Sequence, residues 1–213
     1  MSVPRKRTVV CTQCGTLIDS WFWGSINLEK HPEAARKLEN NDYFKAFCPS
    51  CGKVTIDPYS MICYDQSKGV FFEFWFNSDS HRLFYLDELL EEGQRCSVVS
   101  RIEDLAEKVL AYKNGRDDRI VEMCKYWMLL KFARYLNDFE LQRLYYSVVD
   151  GEEKIVGIDT KGEKAVADFP QNVYRQFESA FKDILPTVRA KFDEYDIEWA
   201  DSFIHEHIGM LLP

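Results

Sequence analysis

Apolar and polar positions follow three successive patterns along the chain. Up to about residue 76, short apolar runs are broken by Gly, Pro, Asn and Asp, the signature of short strands and turns. Residues 7–11 and 43–48 read as strands, each leading into a pair of cysteines. Residues 16–30 read as one long strand with Leu17, Trp21 and Trp23 on one face and Ile18, Phe22 and Ile26 on the other. A strand apolar on both faces is expected to be covered on both sides, and Gly24-Ser25 suits a bulge within it. Pro32 opens a short helix through about Leu38, with Glu33 near its positive end, and Asn40-Asn41-Asp42 stops it. Residues 53–64 and 70–76 read as two more strands, joined by the turn Asp65-Gln66-Ser67-Lys68-Gly69. This first stretch is therefore expected to be a small antiparallel sheet with one inserted helix.

The pattern then changes. Residues 77–99 read as a linker, beginning Asn77-Ser78-Asp79-Ser80, with a short acidic helix at 87–93. Ser100 followed by Glu103 matches a capping box and starts a helix to about Tyr112, stopped by Asn114-Gly115. Asp117 or Asp118 caps the next helix, expected to reach about Leu136. Its apolar residues, among them Ile120, Val121, Met123, Cys124, Trp127 and Met128, lie nearly all round it, as in a helix at the centre of a fold. Alternation returns at 141–168, punctuated by Asp150-Gly151 and Thr160-Lys161-Gly162, and predicts a three-stranded meander. Pro170 opens a helix to about Leu185, and one or two further helices cover 188–210. No internal repeat is evident. The expected fold class is α+β, with a cysteine-bearing sheet at 1–76, the linker at 77–99, and a helical region with a meander at 100–213.

Composition adds limits. Of 213 residues, 46% are apolar and 15% aromatic, enough to build a sizeable core. The net charge is −8, yet residues 1–63 carry 8 Lys/Arg against 6 Asp/Glu, so the acidity belongs to the rest. That is not the basic footprint of a general nucleic-acid binder, and Arg5-Lys6-Arg7 is the one short basic cluster. No apolar run approaches a membrane span, and no apolar segment follows the basic N-terminus as in a signal peptide. The expected location is the cytoplasm, where seven cysteines favour thiols and metal over disulfides.

Four of those cysteines form two CxxCG pairs, Cys11-Thr12-Gln13-Cys14-Gly15 and Cys48-Pro49-Ser50-Cys51-Gly52, with 33 residues between Cys14 and Cys48. Each pair offers two thiolates on one side of a tetrahedral site, and two pairs complete it. The expectation is one Zn2+ held by Cys11, Cys14, Cys48 and Cys51. With all four places filled by protein, the site is structural rather than catalytic. A redox pair would sit at a helix N-terminus after a strand, whereas here each pair runs through glycine into a strand pattern.

These residues resemble the CpXC family, bacterial proteins named for a Cys-Pro-x-Cys motif. The resemblance rests on the two cysteine motifs, on Ser25-Ile26-Asn27 and on Tyr64-Asp65. It continues through Ile102-Glu103-Asp104-Leu105-Ala106-Glu107-Lys108 and Gly115-Arg116-Asp117-Asp118-Arg119-Ile120-Val121-Glu122. It spans residues 8 to about 135, and Thr12 stands where the family name has proline. The resemblance implies four-cysteine metal binding and assigns no activity.

Other candidates have plainer readings. Cys63, Cys96 and Cys124 lie in apolar stretches or at element ends and read as buried small hydrophobes. His205-Glu206-His207 cannot easily share an ion on a helix, because positions two apart face different ways. His31 and His81 read as loop residues. Asp117, Asp118 and Arg119 read as helix caps and a local ion pair, with a catalytic carboxylate pair as the sharper alternative. No P-loop, GxSxG, HExxH or dinucleotide fingerprint is present. The functional expectation is a cytosolic binding or scaffold protein with structural zinc, acting through contacts with another protein. A nucleic-acid-associated zinc ribbon, built on Trp21–Trp23 and Arg5–Arg7, is one alternative. An enzyme with its site between the two regions is the other.

Overall fold

The computed structural model describes residues 4–76, 94–132, 140–185, 194–207 and 209. They gather into two compact units that divide between Val109 and Leu110, and both helices and sheets are present, so the fold is α+β. Among the described residues no helix is long and apolar enough to cross a membrane.

Among the described residues, the first unit holds three sheets rather than one. β1 (Arg5–Val10) and β2 (Leu17–Phe22) form an antiparallel ribbon, and β4 (Lys45–Phe47) and β5 (Val54–Ile56) form another. The third sheet is mixed, in the order β3-β6-β7-β8, from β3 (Ser25–Asn27), β6 (Met61–Asp65), β7 (Val70–Phe74) and β8 (Arg95–Val99). β3 runs parallel to β6, and β8 parallel to β7. Ile26, Met61, Cys63, Phe72, Phe74 and Cys96 are among this sheet's buried positions.

Several sequence expectations are corrected here. The single long strand at 16–30 is two strands in different sheets. At Gly24 the chain leaves β2 and enters β3, which forms one edge of the mixed sheet by pairing with β6. Nor is β2 covered on both faces, since Leu17 and Trp21 are 67% and 60% exposed while Ile18 is buried. The expected strand at 53–64 is likewise two, β5 and β6, with Pro58 between them. The expected linker contains a strand, β8, whose buried Cys96, Val98 and Val99 continue the mixed sheet. The segments 77–93, including the expected acidic helix and His81, and 133–139, with the expected helix end at Leu136, lie outside the described residues.

Two short motifs acquire a physical meaning. The buried Asp65 carboxylate accepts from Ser67 N at 2.9 Å, Ser67 Oγ at 2.6 Å and Lys68 N at 3.3 Å, closing the one-turn helix between β6 and β7. Asn27 Oδ1 accepts from Lys30 N at 2.8 Å and its carbonyl from His31 N at 3.0 Å. That turn feeds α1 (Pro32–Glu39), which starts at its proline and buries Ala35 and Leu38.

α2 (Ile102–Lys113) carries the chain into the second unit. There α3 (Asp118–Phe132) lies at the centre, with Ile120, Val121, Met123, Cys124 and Met128 buried. The meander forms as expected from β9 (Leu141–Val149), β10 (Glu152–Asp159) and β11 (Lys164–Asp168), ordered β11-β10-β9. α4 (Gln171–Phe181) and α5 (Ile197–Glu206) complete a core that includes Tyr146, Ile155, Phe169, Tyr174, Phe177, Phe181 and Phe203.

Candidate metal centre

The two CxxCG motifs fold into matching knuckles. In the first, Cys11 N donates to Thr16 O at 2.9 Å and Gly15 N to Cys11 O at 3.0 Å. In the second, Cys48 N donates to Lys53 O at 2.9 Å and Gly52 N to Cys48 O at 3.0 Å. Gly15 and Gly52 share φ of 71°, a left-handed conformation that glycine adopts without a Cβ penalty. The likeness extends into the flanking strands. Val10 pairs with Leu17 as Phe47 pairs with Val54, and Val9 with Ile18 as Ala46 with Thr55. Two copies of one hairpin are thus present, although so few side chains coincide that the sequence shows no repeat.

The inward residues Val9, Ile18 and Ala46 cluster with Cys11 and Cys48. This packing brings the knuckles together, so all four sulfurs lie within 4.8 Å of one another. Cys11 and Cys51 Sγ are 3.6 Å apart, as are Cys14 and Cys48 Sγ. A tetrahedron with metal–sulfur bonds of about 2.3 Å has edges of about 3.8 Å, so the cluster could hold a metal ion with little adjustment. Cys11 and Cys48 are buried, and Cys14 and Cys51 face outward.

The thiols are electrostatically unequal. The amides of Cys14 and Gln13 point at Cys11 and hold its thiol down at about 6. Thr16, first through its hydroxyl and then its amide, draws Cys14 below its ordinary value. The Lys53 amide pulls Cys51 the same way, but desolvation and the three neighbouring thiols outweigh it and push Cys51 up to about 12. The knuckle amides therefore stabilise a first thiolate, while the crowding of negative charge resists the last. A divalent cation removes that resistance, so the donor set fits a soft cation bound by four thiolates.

Surrounding residues fix the knuckles. Thr12 N donates to Thr55 Oγ1 at 3.3 Å, a bond that proline at this position could not make. This gives Thr12 a physical role at the point where the family motif has proline. Thr16 Oγ1 accepts from Cys14 Sγ at 3.2 Å. Thr12 stood out in the sequence only as a departure from proline, and Thr16 only by its placement beside a knuckle.

Among the described residues, no other group of His, Cys, Asp and Glu side chains comes close enough to hold an ion. Cys63, Cys96 and Cys124 are buried as expected, and burial raises the thiols of Cys63 and Cys124. His205 Nδ1 lies 2.8 Å from Asp201 Oδ1, whereas the His207 ring stacks on Phe203 with centroids 4.4 Å apart. His31 packs its ring against Trp23.

Asp117, Asp118 and Arg119 open α3. Asp117 Oδ1 accepts from Arg119 N and Nε at 3.0 Å each, and Oδ2 from Arg119 Nη2 at 2.8 Å. Arg119 Nη1 donates to Leu185 O at 2.8 Å, and its guanidinium lies over Tyr195. Next to this, Arg116 forms a two-pronged pair with Glu153 at 2.7 and 2.5 Å and lies over Phe169 and Tyr174. Tyr146 OH and Gln171 also donate to Glu153, and Asn114 donates to Tyr146 OH. These charges tie α3 to the meander, to α4 and to the segment after it.

Two cysteine knuckles joined at a four-thiol cluster define a cysteine-knuckle protein with a place for one metal ion. Residues 9–125, just over half of the chain, match the model of the CpXC protein family, and the chain belongs to that family. No curated protein and no solved structure matches it.

Proposed function

We propose that this CpXC protein holds one Zn2+ through Cys11, Cys14, Cys48 and Cys51 and acts in the cytosol as a binding or scaffold protein, through contacts with another protein. The observation that carries the metal assignment is the gathering of four sulfurs from two hairpins within 4.8 Å of one another, which lets the chain supply every coordination place. Zinc is the metal best matched to four thiolates in that geometry. Held this way it has no open position for substrate, so its work is to fix one hairpin against the other. The seven cysteines, all free thiols here, fit a reducing compartment.

The outward faces of the hairpins support the contact role. Val10, Leu17 and Trp21 on one ribbon and Phe47, Val54 and Ile56 on the other are each between 49% and 67% exposed. Exposed apolar side chains gathered in one small region mark interaction surfaces. The alternatives draw less from the geometry. Arg7 pairs with Asp57 at 2.7 Å and lies over Tyr59 and Phe22, which leaves a smaller basic arm for nucleic acid. Asp117 and Arg119 are engaged in holding α3, which leaves less for catalysis.

Elemental analysis of the purified, reduced protein tests the metal assignment. The expected result is about one zinc per chain, lost in Cys48→Ser and retained in Cys63→Ala. Reduced wild-type protein free of metal would refute it.

A further inference from the structure

The β1–β2 ribbon has an edge of defined chemistry. Cys11 N bonds to Thr16 O, and the register places Val9 opposite Ile18 and Arg7 opposite Ser20. Hydrogen-bonded pairs alternate along an antiparallel ladder. Lys6, Thr8 and Val10 therefore turn their backbone N–H and C=O groups away from β2. Among the described residues no third strand pairs with this ribbon. The same three residues place their side chains on the exposed face, where Lys6 lies over the Trp21 ring at 5.4 Å and Val10 sits beside Leu17. From one end to the other, the edge offers a cation beside an aromatic ring, a threonine opposite the exposed Asp19, and an apolar pair, so its positive charge is confined to the Lys6 end. The exposed Arg5 adds a second charge at the cationic end.

We propose that β1 takes up an extended segment of a partner protein as a third strand. That segment carries alternating apolar and acidic residues, with an acidic side chain against Lys6 and an apolar one against Val10. Main-chain bonds supply the attachment and the side-chain alternation the selectivity, as in other strand additions. The inference rests on the protein-contact reading above and narrows it to one edge and one partner chemistry. Charge selects the partner: a second copy of β1 would bring Arg5, Lys6 and Arg7 against an edge that is already basic. A nucleic acid is less suited, because Lys6 occupies one face of the exposed Trp21 ring. The β4–β5 ribbon is the poorer acceptor, with strands of three residues each.

The test is selection from a random display library of peptides about twelve residues long on the metal-loaded protein, with binding of the selected synthetic peptides measured by fluorescence anisotropy. Enriched peptides should alternate apolar and acidic residues. Their affinity should fall about tenfold or more for Lys6→Glu. Thr8→Pro should weaken them likewise, because it removes an edge N–H that the β1–β2 ladder does not use. N-methylation of alternate peptide amides should abolish binding. Metal content and melting temperature of both variants should match wild type, which separates edge loss from misfolding. Peptides that survive both variants but are lost in Ile56→Lys would overturn the edge assignment and leave the protein-contact reading standing. Failure to enrich any peptide would overturn it as well, as would a concentration-dependent dimer abolished by Thr8→Pro.

Discussion

The sulfurs of Cys11 and Cys51 are 3.6 Å apart although the two residues stand 40 positions apart in the chain. The pair comes from different knuckles, and so does the other close pair, Cys14 and Cys48. A metal held there couples the two hairpins directly. Chelation should therefore abolish amide hydrogen-exchange protection at Val9, Ile18, Ala46 and Thr55, while Ile155 and Val156 in the central strand of the meander keep theirs. Equal loss at both places would show that the metal governs the whole chain rather than the ribbons.

Gly15 and Gly52 should respond alike to substitution. Neither has an atom within 4 Å of where a Cβ would stand, so the cost comes only from φ of 71°. Alanine at either position should lower stability by about 1–2 kcal/mol with zinc content unchanged, read from urea unfolding and elemental analysis. The double variant should lose roughly the sum.

Asp117 supports α3 in two ways, as its cap and as the partner of the buried Arg119. Asp117→Ala should cost about 3–5 kcal/mol, since it leaves a desolvated guanidinium without its carboxylate. Asp117→Asn keeps the cap and should cost less. A folded, fully stable Asp117→Ala protein would reopen the catalytic reading of this motif.

Glu153 should make the second unit sensitive to acid. The Arg116 guanidinium holds its carboxyl below the usual carboxylate range, assisted by Tyr146 and Gln171. A carboxyl lowered in the folded state adds stability above its unfolded value, and that stability disappears as pH falls through the folded value. Glu153→Gln should cost about 1–3 kcal/mol at neutral pH. Its unfolding midpoint should also change less than wild type's between neutral pH and the carboxylate range. Parallel pH profiles would show that the pair contributes nothing.

The cysteine site was the most legible feature, because CxxCG spacing carries its own geometry. The meander and α3 were nearly as clear, since alternation and turn residues at Asp150-Gly151 and Thr160-Lys161-Gly162 specify local pairing. What pattern could not supply was the identity of each strand's partner. Ile26 is buried whether β3 continues β2 or crosses to β6, so the break at Gly24 left no trace in hydrophobicity. β8 was hidden for the same reason, as a five-residue strand beside a distant parallel neighbour. The outward Leu17 and Trp21 misled in the other direction, because apolar composition suggests burial whether or not anything covers the surface. Arg116 and Glu153 are ordinary charges until the fold brings them together from 37 positions apart in the chain.

The matched knuckles also set the polymer physics of the N-terminal segment. A metal joining Cys14 to Cys48 acts as a reversible cross-link around the 33 intervening residues. A permanent link of that span would remove about 3–4 kcal/mol of conformational freedom from the unfolded chain. A metal link at the proposed site would exist only while the thiols are reduced and the ion is available, so the freedom of this loop would follow the redox state and metal supply around the protein.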